Sequence, residues 1–301
     1  MKELRKLSPE DGTLTADTWY CDDIKIGYGI SRWKEFGSFS ASNTNDVVRM
    51  HFGMRGDYTF YYKQLDRKYD LLGGHHNIMY SKGFDMVVEN KTLEIETFGI
   101  QFPKEQFISF TQNSSDQLMR FTEAIIAGKS VILSEQWGSL DATMEDVIRQ
   151  IMYCKYTGDL KKLFLLSKSI ELLVLSAESC HQASSKKSSV LKNKTDQEKI
   201  IAVRDLINGR LTSPPNLSEI AKHVGLNEYK LKRGFKETFN NTVFGYLTDQ
   251  RLNLAQQYLR DTQMTAAEIG QELGYATPQH FNNAFKKKFG ITPFLVRKNP
   301  E

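Results

Sequence analysis

The first hundred residues of the chain alternate between apolar and polar positions with the two-residue period of β-strands. In the run TLEIETF, Leu93, Ile95 and Thr97 alternate with two glutamates, which predicts a half-buried strand with these three residues on its buried side. A turn at Asn90-Lys91 separates this run from the strand before it. Several short strands in succession are typical of a β-barrel or a β-sandwich.

After about residue 114 the hydrophobic period lengthens to that of α-helices. One helix is predicted in SSDQLMRFTEAIIAG, which ends at Gly128, and a second from Ala142 to Lys155. A third is predicted from Asp159 to Cys180, after a Thr-Gly break. The N-terminal part is therefore predicted to consist of strands followed by helices, an α+β arrangement.

The third predicted helix carries an apolar seam with the alternating spacing of three and four residues that is typical of coiled coils. Two interpretations are open: the helix covers the sheet, or it forms the contact of a homodimer. Both can hold on opposite faces, because Phe164, Leu172 and Leu175 lie off the seam. The seam consists of Leu163, Leu166, Ile170, Leu173, Ala177 and Cys180.

One pattern occurs twice in the last third of the chain, about 49 residues apart, as EIAKHVGLNEYKLKRGFKETFNNT and EIGQELGYATPQHFNNAFKKKFGIT. In the first copy, Asn216 and Glu219 have the spacing of a capping box, and Gly225 can end the helix that they begin. Thr265, Glu268 and Gly274 repeat this arrangement in the second copy. Each copy therefore predicts a short helix, a tight turn and a second helix.

The second helix of each copy has a buried stripe and an outward polar face. The stripe holds Leu231, Phe235 and Phe239 in the first copy, and it is made of phenylalanines at 281, 285 and 289 in the second. Few residues join the two helices, so they must cross steeply, as in a helix-turn-helix. A helix of about 17 residues, roughly 25 Å long, connects the copies. Two such units can enter successive major-groove segments, about 34 Å apart, on one face of DNA.

Charge supports this division of the chain. Residues 182–301 contain 19 basic and 11 acidic residues, whereas the net charge of the whole chain is only +4. The segment 182–194 is rich in Ser and Lys and predicts an exposed linker, so the C-terminal domain is expected from 195 to 301. Residues 1–194 contain 25 basic and 25 acidic residues, whereas 195–301 contain 15 and 11. A neutral N-terminal part followed by a basic C-terminal part favours a polyanionic partner for the C-terminal part alone.

Other compositional features favour a cytoplasmic protein. The sequence contains no apolar run of membrane-spanning length and no apolar stretch typical of a signal peptide near its first residue. Three widely spaced cysteines, Cys21, Cys154 and Cys180, form no metal-binding pair and no disulfide framework. No membrane partner is therefore expected.

Residues 195–301 resemble the DNA-binding domain of the AraC/XylS family of bacterial transcription regulators. The similarity is carried by LSEIAKHVG, RLNLAQQYL, EIGQELGY, HFNNAFKKKFGITP and Arg297, and the first copy is most similar to the siderophore-regulator branch. The resemblance implies an N-terminal cupin-like β-barrel with a helical hairpin over 1–181, followed by two helix-turn-helix units. It also implies a DNA-binding activator that responds to a small-molecule effector, forms a homodimer and can contact RNA polymerase.

The resemblance places the groove-facing positions of the first copy at Tyr229, Lys232 and Arg233. An arginine there can bind guanine O6 and N7 with two hydrogen bonds. Lys230 and Lys236 are expected to contact phosphates.

In the second copy, outward polar side chains are expected at the start of the second helix. Gln279 and Asn283 suit adenine N6 and N7, although the family commonly has arginine at the position of Asn283. The lysines of the KKK run at 286–288 are expected to bind the DNA backbone. The full set of expected contacts in this copy is Gln279, His280, Asn282, Asn283, Lys286 and Lys287.

The alternative is a cupin-like enzyme fused to a DNA-binding domain. Three histidines suggest a metal site; they are His51, His75 and His76. However, the adjacent pair would point to opposite faces of a strand. The spaced histidines and glutamate of metal cupins are missing, as is a nucleophile elbow, so no catalytic residue, metal or cofactor is expected. The aromatic residues of this part either line an effector pocket or fill the core; they are Phe52, Tyr58, Phe60, Tyr61, Tyr62, Phe84 and Phe98.

Overall fold

The computed structural model describes residues 2–8, 12–114, 116–185, 194–239 and 241–298. Contacts divide the chain into two compact units, an N-terminal unit of residues 1–187 and a C-terminal unit of residues 188–301. The N-terminal unit contains a β-sheet and four helices among its described residues, and the described part of the C-terminal unit is entirely helical. The α+β fold class is thereby confirmed.

The sheet of the N-terminal unit is antiparallel throughout its described pairings, in the order β1-β2-β3-β8-β4-β7-β5-β6, with β9 and β10 paired to β7. Among the described residues β1 and β6 end this order, so hydrogen bonds do not close the predicted barrel. The strands are β1 (Lys2–Ser8), β2 (Gly12–Cys21), β3 (Ile24–Trp33), β4 (Ser38–Arg55), β5 (Tyr58–Tyr62), β6 (Arg67–Leu71), β7 (His75–Asn90), β8 (Glu94–Pro103), β9 (Val131–Ile132) and β10 (Gly138–Ser139).

One face of the sheet is covered by helices. Ile26, Met50, Ile78 and Ile100 are directly opposite one another on four neighbouring strands, and all four are buried. Residues opposite each other in a ladder point to the same face, so these side chains form one apolar layer. The helices that contribute to this core are α1 (Lys104–Thr111), α2 (Asp116–Ile126), α3 (Ala142–Met152) and α4 (Gly158–Ser185).

Three of these four helices were predicted from the sequence, and α1 was not. The longest, α4, continues to Ser185 and so extends into the first residues of the predicted linker 182–194. Residues 186–193 of that linker lie outside the described residues. None of the helices in the described segments has both the length and the apolar character that crossing a membrane requires.

The apolar seam predicted along α4 is divided between two environments. Leu173 and Cys180 are buried in the core, whereas Leu163 is 64% exposed. The face that packs on the sheet is centred instead on Leu165 and Leu172, because these residues are completely buried. The helix therefore covers the sheet with a face rotated away from the predicted seam, and part of the seam remains on the surface.

Two predictions about the strands are corrected. Strand β8 begins at Glu94, so Leu93 precedes it and is exposed rather than buried. Glu96 lies on the helix-covered face, where it accepts a hydrogen bond from the hydroxyl of Tyr28 at 2.7 Å. An acidic residue can occupy this half-buried position because Arg55 also pairs with it, at 3.3 Å.

The helices of the C-terminal unit form two small apolar cores. The first contains Leu231 and Phe235, and the second contains Phe281 and Phe285. The connecting helix, α8, contributes Leu247 to the first core and residues of its later turns to the second. The helices are α5 (Lys194–Asn208), α6 (Leu217–Val224), α7 (Glu228–Phe239), α8 (Val243–Asp261), α9 (Ala266–Glu272), α10 (Pro278–Phe289) and α11 (Pro293–Lys298).

Candidate nucleic-acid interface

Both helix-turn-helix units begin with the predicted capping box. In the first, the side chain of Asn216 accepts from the amide of Glu219 at 3.0 Å, and the Asn216 amide donates to the Glu219 carboxylate at 2.9 Å. Thr265 and Glu268 exchange the same two bonds in the second, at 3.2 and 2.6 Å. The hydrogen bond from the Thr265 amide lowers the pKa of the Glu268 carboxyl, because it stabilises the charged form. The first helix of each unit is thus fixed at its start.

The turn between the helices is also formed as predicted. Gly225 and Gly274 have positive φ angles of 63° and 76°, which glycine adopts without the steric cost that a Cβ imposes. Asn227 caps α7 by accepting from the Lys230 amide at 2.7 Å, and Thr277 caps α10 by accepting from the amide of residue 280 at 3.2 Å. The N-terminal turns of α7 and α10 are therefore held firmly, with their outer sides in solvent.

The outer side of α7 presents a mixed aromatic and basic surface. Tyr229 is 63% exposed, and its hydroxyl accepts from Nη1 of Arg233 at 2.6 Å. This hydrogen bond raises the pKa of the Arg233 guanidinium. Lys232 pairs with Glu228 at 3.2 Å while staying exposed, and Lys236 is exposed one turn further on. These four predicted contact residues share one accessible face.

Lys230 does not share that face. Its ammonium group pairs with the carboxylate of Asp196 at 2.5 Å, and the Asp196 side chain is only 8% exposed. Asp196 lies in the first turn of α5, so the ion pair joins α5 to α7. The structure therefore gives Lys230 a role inside the C-terminal unit, which argues against the predicted phosphate contact.

On α10 the predicted residues are divided in the same way. Asn282 is half-buried, and its Oδ1 is shielded from solvent without a hydrogen-bond partner in the described part of the chain. It therefore points into the protein, contrary to the prediction. The exposed residues are Gln279, His280, Asn283, Lys286 and Lys287.

Two polar contacts of α8 were not predicted from the sequence. Lys288, the last residue of the KKK run, pairs with Asp249 at 2.7 Å and is only 10% exposed, so it joins α10 to α8. Arg251 donates from Nε to the carbonyl of Leu211 at 2.6 Å. The sequence of α8 held a signal for these two contacts. Asp249 and Arg251 lie between Leu247, which belongs to the first core, and Leu252, which belongs to the second.

Two family models match the chain, and together they cover both units. The helix-turn-helix domain model matches residues 220–299, which begin one residue after Glu219 of the first capping box and contain the whole of the second. The model of the regulatory protein PchR N-terminal domain matches residues 35–191, which is more than half of the chain. The chain belongs to the AraC/XylS family, in the branch with a PchR-type N-terminal domain.

Individual relatives in this family match mainly one part of the chain. The regulatory protein PchR of Pseudomonas aeruginosa is 36% identical over 118 residues, which are 39% of this chain and 40% of that protein. The transcriptional regulator ArgR of the same species is 34% identical over 88 residues, 29% of this chain and 27% of ArgR. The chain thus matches well under half of the length of either relative.

A solved structure of a Chromobacterium violaceum regulator with an AraC-type DNA-binding domain is 29% identical to this AraC/XylS-family chain, with a TM-score of 0.34. The match covers 36% of this chain and 96% of that structure.

The PchR-type unit of this AraC/XylS-family protein has a second sheet face, opposite the helices, that carries a polar and aromatic cluster. Nε2 of His51 lies 2.6 Å from the hydroxyl of Tyr58, and the ring of Phe60 stacks on His51 at 6.4 Å. Trp137 meets the same imidazole edge-on at 5.9 Å. Burial lowers the pKa of His51 to about 4 and raises the pKa of Tyr58, so both side chains are neutral at pH 7.

Glycines form the sheet surface next to this cluster. Gly27 is directly opposite Gly99, and Gly99 is directly opposite His51. A Cβ built on Gly27 would meet no atom within 4 Å, so the backbone there faces open space. Two predicted pocket residues, Phe52 and Phe98, lie instead on the helix-covered face and fill the core. Tyr58, Phe60, Tyr62 and Phe84 belong to a separate apolar cluster with Tyr69 and Trp137. Tyr61 lies outside both cores, and its hydroxyl donates to Asp66 at 2.6 Å.

The three histidines are not grouped on one face of the sheet. His75 lies opposite Gly53 and His76 lies opposite Phe52, so the two imidazoles point to opposite faces as expected. His76 is completely buried, and burial lowers its pKa to about 3. In the part of the chain that the structure describes, no three His, Cys, Asp or Glu side chains are grouped closely enough to hold a metal ion.

Proposed function

We propose that the chain is a sequence-specific transcription regulator that binds double-stranded DNA through α7 and α10. The observation that carries this proposal is the duplicated helix-turn-helix with an exposed face of base-reading side chains at the start of each second helix. Arginine, lysine and amide side chains in this position match the hydrogen-bonding groups of the major groove. Membership of a family of DNA-binding regulators supports the same function.

Within this function the two second helices have different roles. Arg233, Lys232 and Tyr229 on α7 carry most of the base discrimination. On α10, Gln279 and Asn283 contact bases with neutral amides, which lack the strength of a charge-assisted bond. The remaining exposed basic residues bind phosphates; they are His280, Lys236, Lys286 and Lys287.

The N-terminal unit senses an effector and joins two copies of the chain. Its match to the PchR N-terminal domain and the open sheet face beside His51 and Tyr58 support effector binding. The exposed side of α4 supports a homodimer, because Leu160, Leu163 and Val174 are each more than half exposed there. As an activator, the dimer would work in the cytoplasm and can contact RNA polymerase.

The three-part organisation proposed here is residues 1–181 for sensing and dimerisation, 182–194 as a linker and 195–301 for DNA binding. The two separate apolar cores of the C-terminal unit support independent folding of the last part. The alternative of a cupin-like enzyme has no group of residues in the described part of the chain to support it.

Selection on randomised duplexes tests the function directly. Full-length protein is expected to enrich a defined sequence, and to bind it at least about a thousandfold more tightly than a shuffled duplex at physiological salt. A doubly substituted chain, Arg233→Ala with Asn283→Ala, serves as the control that should lose enrichment while remaining folded. Salt-dependent binding without enrichment of any sequence by the unmodified chain would contradict the proposal.

A further inference from the structure

The C-terminal unit has two halves that α8 joins. The first half consists of α5, α6 and α7, the second of α9, α10 and α11, and each has its own apolar core. Along α8, Leu247 is the last residue of the first core and Leu252 is the earliest residue of the second. Long helices are rarely straight. Apolar packing therefore leaves the angle between the two halves weakly determined at the turn of α8 between these two leucines.

Asp249 lies in this turn and connects the ends of the two DNA-reading helices. Its Oδ2 accepts a hydrogen bond from Asn241, just after the end of α7, at 2.8 Å. Its Oδ1 accepts from Nζ of Lys288, in the last turn of α10, at 2.7 Å. Salt weakens this ion pair little, because Lys288 is largely buried. One carboxylate thus holds the end of α7 and the end of α10 at a fixed separation.

The first turn of α8 is shaped for the contact with Asn241. A Cβ on Gly245 would collide with Oδ1 of Asn241, so the amide lies across the helix where a glycine leaves room for it. Glycine lowers the stability of a helix interior by roughly 0.5–1 kcal/mol relative to alanine. Its presence here favours a precise position of the Asn241 side chain over the best local helix former.

Arg251 makes the second connection, on nearly the opposite side of α8, because two residues of a helix are separated by more than half of a turn. Its Nε donates to the carbonyl of Leu211, in the loop before α6, at 2.6 Å. Its Nη1 lies 3.5 Å from the carbonyl oxygen of Gly274, in the turn before α10. The loop and the turn also touch each other, since a Cβ on Gly274 would lie 2.7 Å from the carbonyl oxygen of Thr212.

We infer that Asp249 and Arg251 are positioning residues that fix the distance and angle between α7 and α10, and so restrict recognition to one spacing of the two DNA segments. We call their hydrogen bonds and ion pair the α8 contacts. One added base pair moves the second segment by about 3.4 Å and rotates it by roughly 34°. Helices held by the α8 contacts cannot follow this shift, whereas helices joined by α8 alone can adapt. The consequence for DNA rests on the function proposed above, but the fixed geometry of the protein does not.

Pulsed electron paramagnetic resonance tests the fixed geometry without DNA. Spin labels are attached at Lys236→Cys on α7 and Lys287→Cys on α10, both exposed positions, in a full-length chain with Cys154→Ser. The two remaining cysteines are buried. Dilution with unlabelled chain limits the measurement to distances within one molecule. The labelled chain is expected to give one narrow distance distribution.

The variant Asp249→Ala with Arg251→Met removes the α8 contacts and keeps an apolar stem at position 251. It should broaden the distance distribution at least about twofold, because α8 can then bend between the two cores. An unchanged width would overturn the inference. If this double variant does not fold, Asp249→Ala alone decides by the same measurement, and an unchanged width there would equally reject the inference.

Lys199→Ala is the matched control for a general loss of stability. Lys199 donates to the carbonyl of Gly225 at 3.0 Å, so this substitution removes a side-chain contact within the first half. It should leave the width of the distribution unchanged. Broadening as large as that of the double variant would show that any weakening of the unit produces the effect, and would overturn the positioning role.

A series of duplexes tests the consequence for recognition. The sequence that the unmodified chain enriches is lengthened or shortened by one base pair between the segments read by α7 and α10. The unmodified chain should bind both altered duplexes at least about tenfold more weakly, whereas the double variant should bind all three within about threefold. Lys287→Ala, which keeps the α8 contacts, should retain the full dependence on spacing.

The outcomes separate the two proposals. Equal dependence on spacing in the unmodified chain and the double variant would overturn the positioning role while leaving DNA recognition in place. Failure of the unmodified chain to enrich any sequence would contradict the proposed function instead, and the distance measurement would then decide the positioning role by itself.

Discussion

Arg233 donates a hydrogen bond from Nη1 to the hydroxyl of Tyr229 at 2.6 Å, one helical turn earlier on the exposed face of α7. The guanidinium also lies 5.9 Å from the Tyr229 ring. A long side chain that is already ordered loses less conformational entropy when it binds a base. This relationship makes Arg233 the side chain on the proposed interface that is best prepared for specific recognition.

Arg233→Ala is expected to cost about 1–3 kcal/mol of DNA-binding free energy and to relax specificity at one or two base pairs. Asn283→Ala should cost less, because a neutral amide lacks the charge assistance of guanidinium. Selection on randomised duplexes with each variant measures both effects. Loss of specificity in Asn283→Ala but not in Arg233→Ala would show that α10, rather than α7, is the main reader.

Substitution of two neighbouring lysines on α10 should affect different properties, DNA binding for one and fold stability for the other. Lys287 is exposed, so Lys287→Ala should weaken binding to all sequences about equally and lower the salt slope by about one unit. Lys288 pairs with Asp249 in a largely buried position, so Lys288→Ala should instead lower the free energy of unfolding by about 2 kcal/mol. Fluorescence anisotropy at several salt concentrations and chemical denaturation separate the two. Equal effects of both substitutions on the salt slope would contradict this assignment.

The duplicated motif could be predicted in detail because its signals are local. Caps, glycines and apolar stripes act within a few residues, and the structure forms both capping boxes and both positive-φ glycines where the sequence places them. Lys230 was misplaced because its orientation depends on a partner far away in sequence. Lys230 turns toward Asp196, 34 positions earlier, and helical spacing alone carries no information about such a contact.

The N-terminal unit was predictable in class but not in topology. Alternation identifies strands, yet it does not specify which strands become neighbours. The adjacency of β3 and β8, which places Gly27 beside Gly99, joins positions 72 residues apart. The packing face of α4 was misassigned for a related reason: several apolar stripes were available, and only the sheet beneath selects Leu165 and Leu172 for burial.

The ion pair between Lys230 and Asp196 leads to a further prediction. Lys230→Ala should change DNA affinity little, because its ammonium group is already engaged, and should lower the free energy of unfolding by about 1–3 kcal/mol, since a buried carboxylate loses a charged partner. Lys236→Ala is the matched comparison, and it should weaken DNA binding without destabilising the fold. A drop in affinity for Lys230→Ala as large as that for Lys236→Ala would restore Lys230 to the interface.

Two histidines, the half-buried His51 and the completely buried His76, should make the N-terminal unit sensitive to acid. Burial lowers the folded-state pKa of His51 to about 4 and that of His76 to about 3, below the value of about 6.5 expected in the unfolded chain. The unfolded state therefore binds more protons below that value, and stability falls as the pH decreases through this window. At pH 5 each histidine should lower the free energy of unfolding by about 2 kcal/mol relative to its value at neutral pH.

Tryptophan fluorescence isolates this effect, because Trp19, Trp33 and Trp137 all lie in the N-terminal unit. Urea unfolding followed by this signal should show a shallower dependence on pH between 7 and 5 for His76→Met, in which a flexible thioether fills the space of the imidazole. His181→Gln, an exposed histidine of the same unit, should leave the dependence unchanged. An unaltered slope in His76→Met would show that this imidazole does not control acid stability.

The exposed stripe of α4 predicts how two copies of the chain associate. Leu163 and Val174 are 64% and 62% exposed and lie eleven residues apart, three turns along one side of the helix. A two-fold dimer would bury this stripe against itself, because the same surface then serves both partners. Leu163→Glu with Val174→Glu should therefore produce monomers without unfolding, since neither side chain contributes to the core. Sedimentation velocity of the full-length chain measures this directly.

The pair Leu166→Glu with Leu173→Glu is the contrasting variant: Leu173 is buried, so this pair should unfold the N-terminal unit. A folded dimer that persists in the first variant would place the contact elsewhere on the protein.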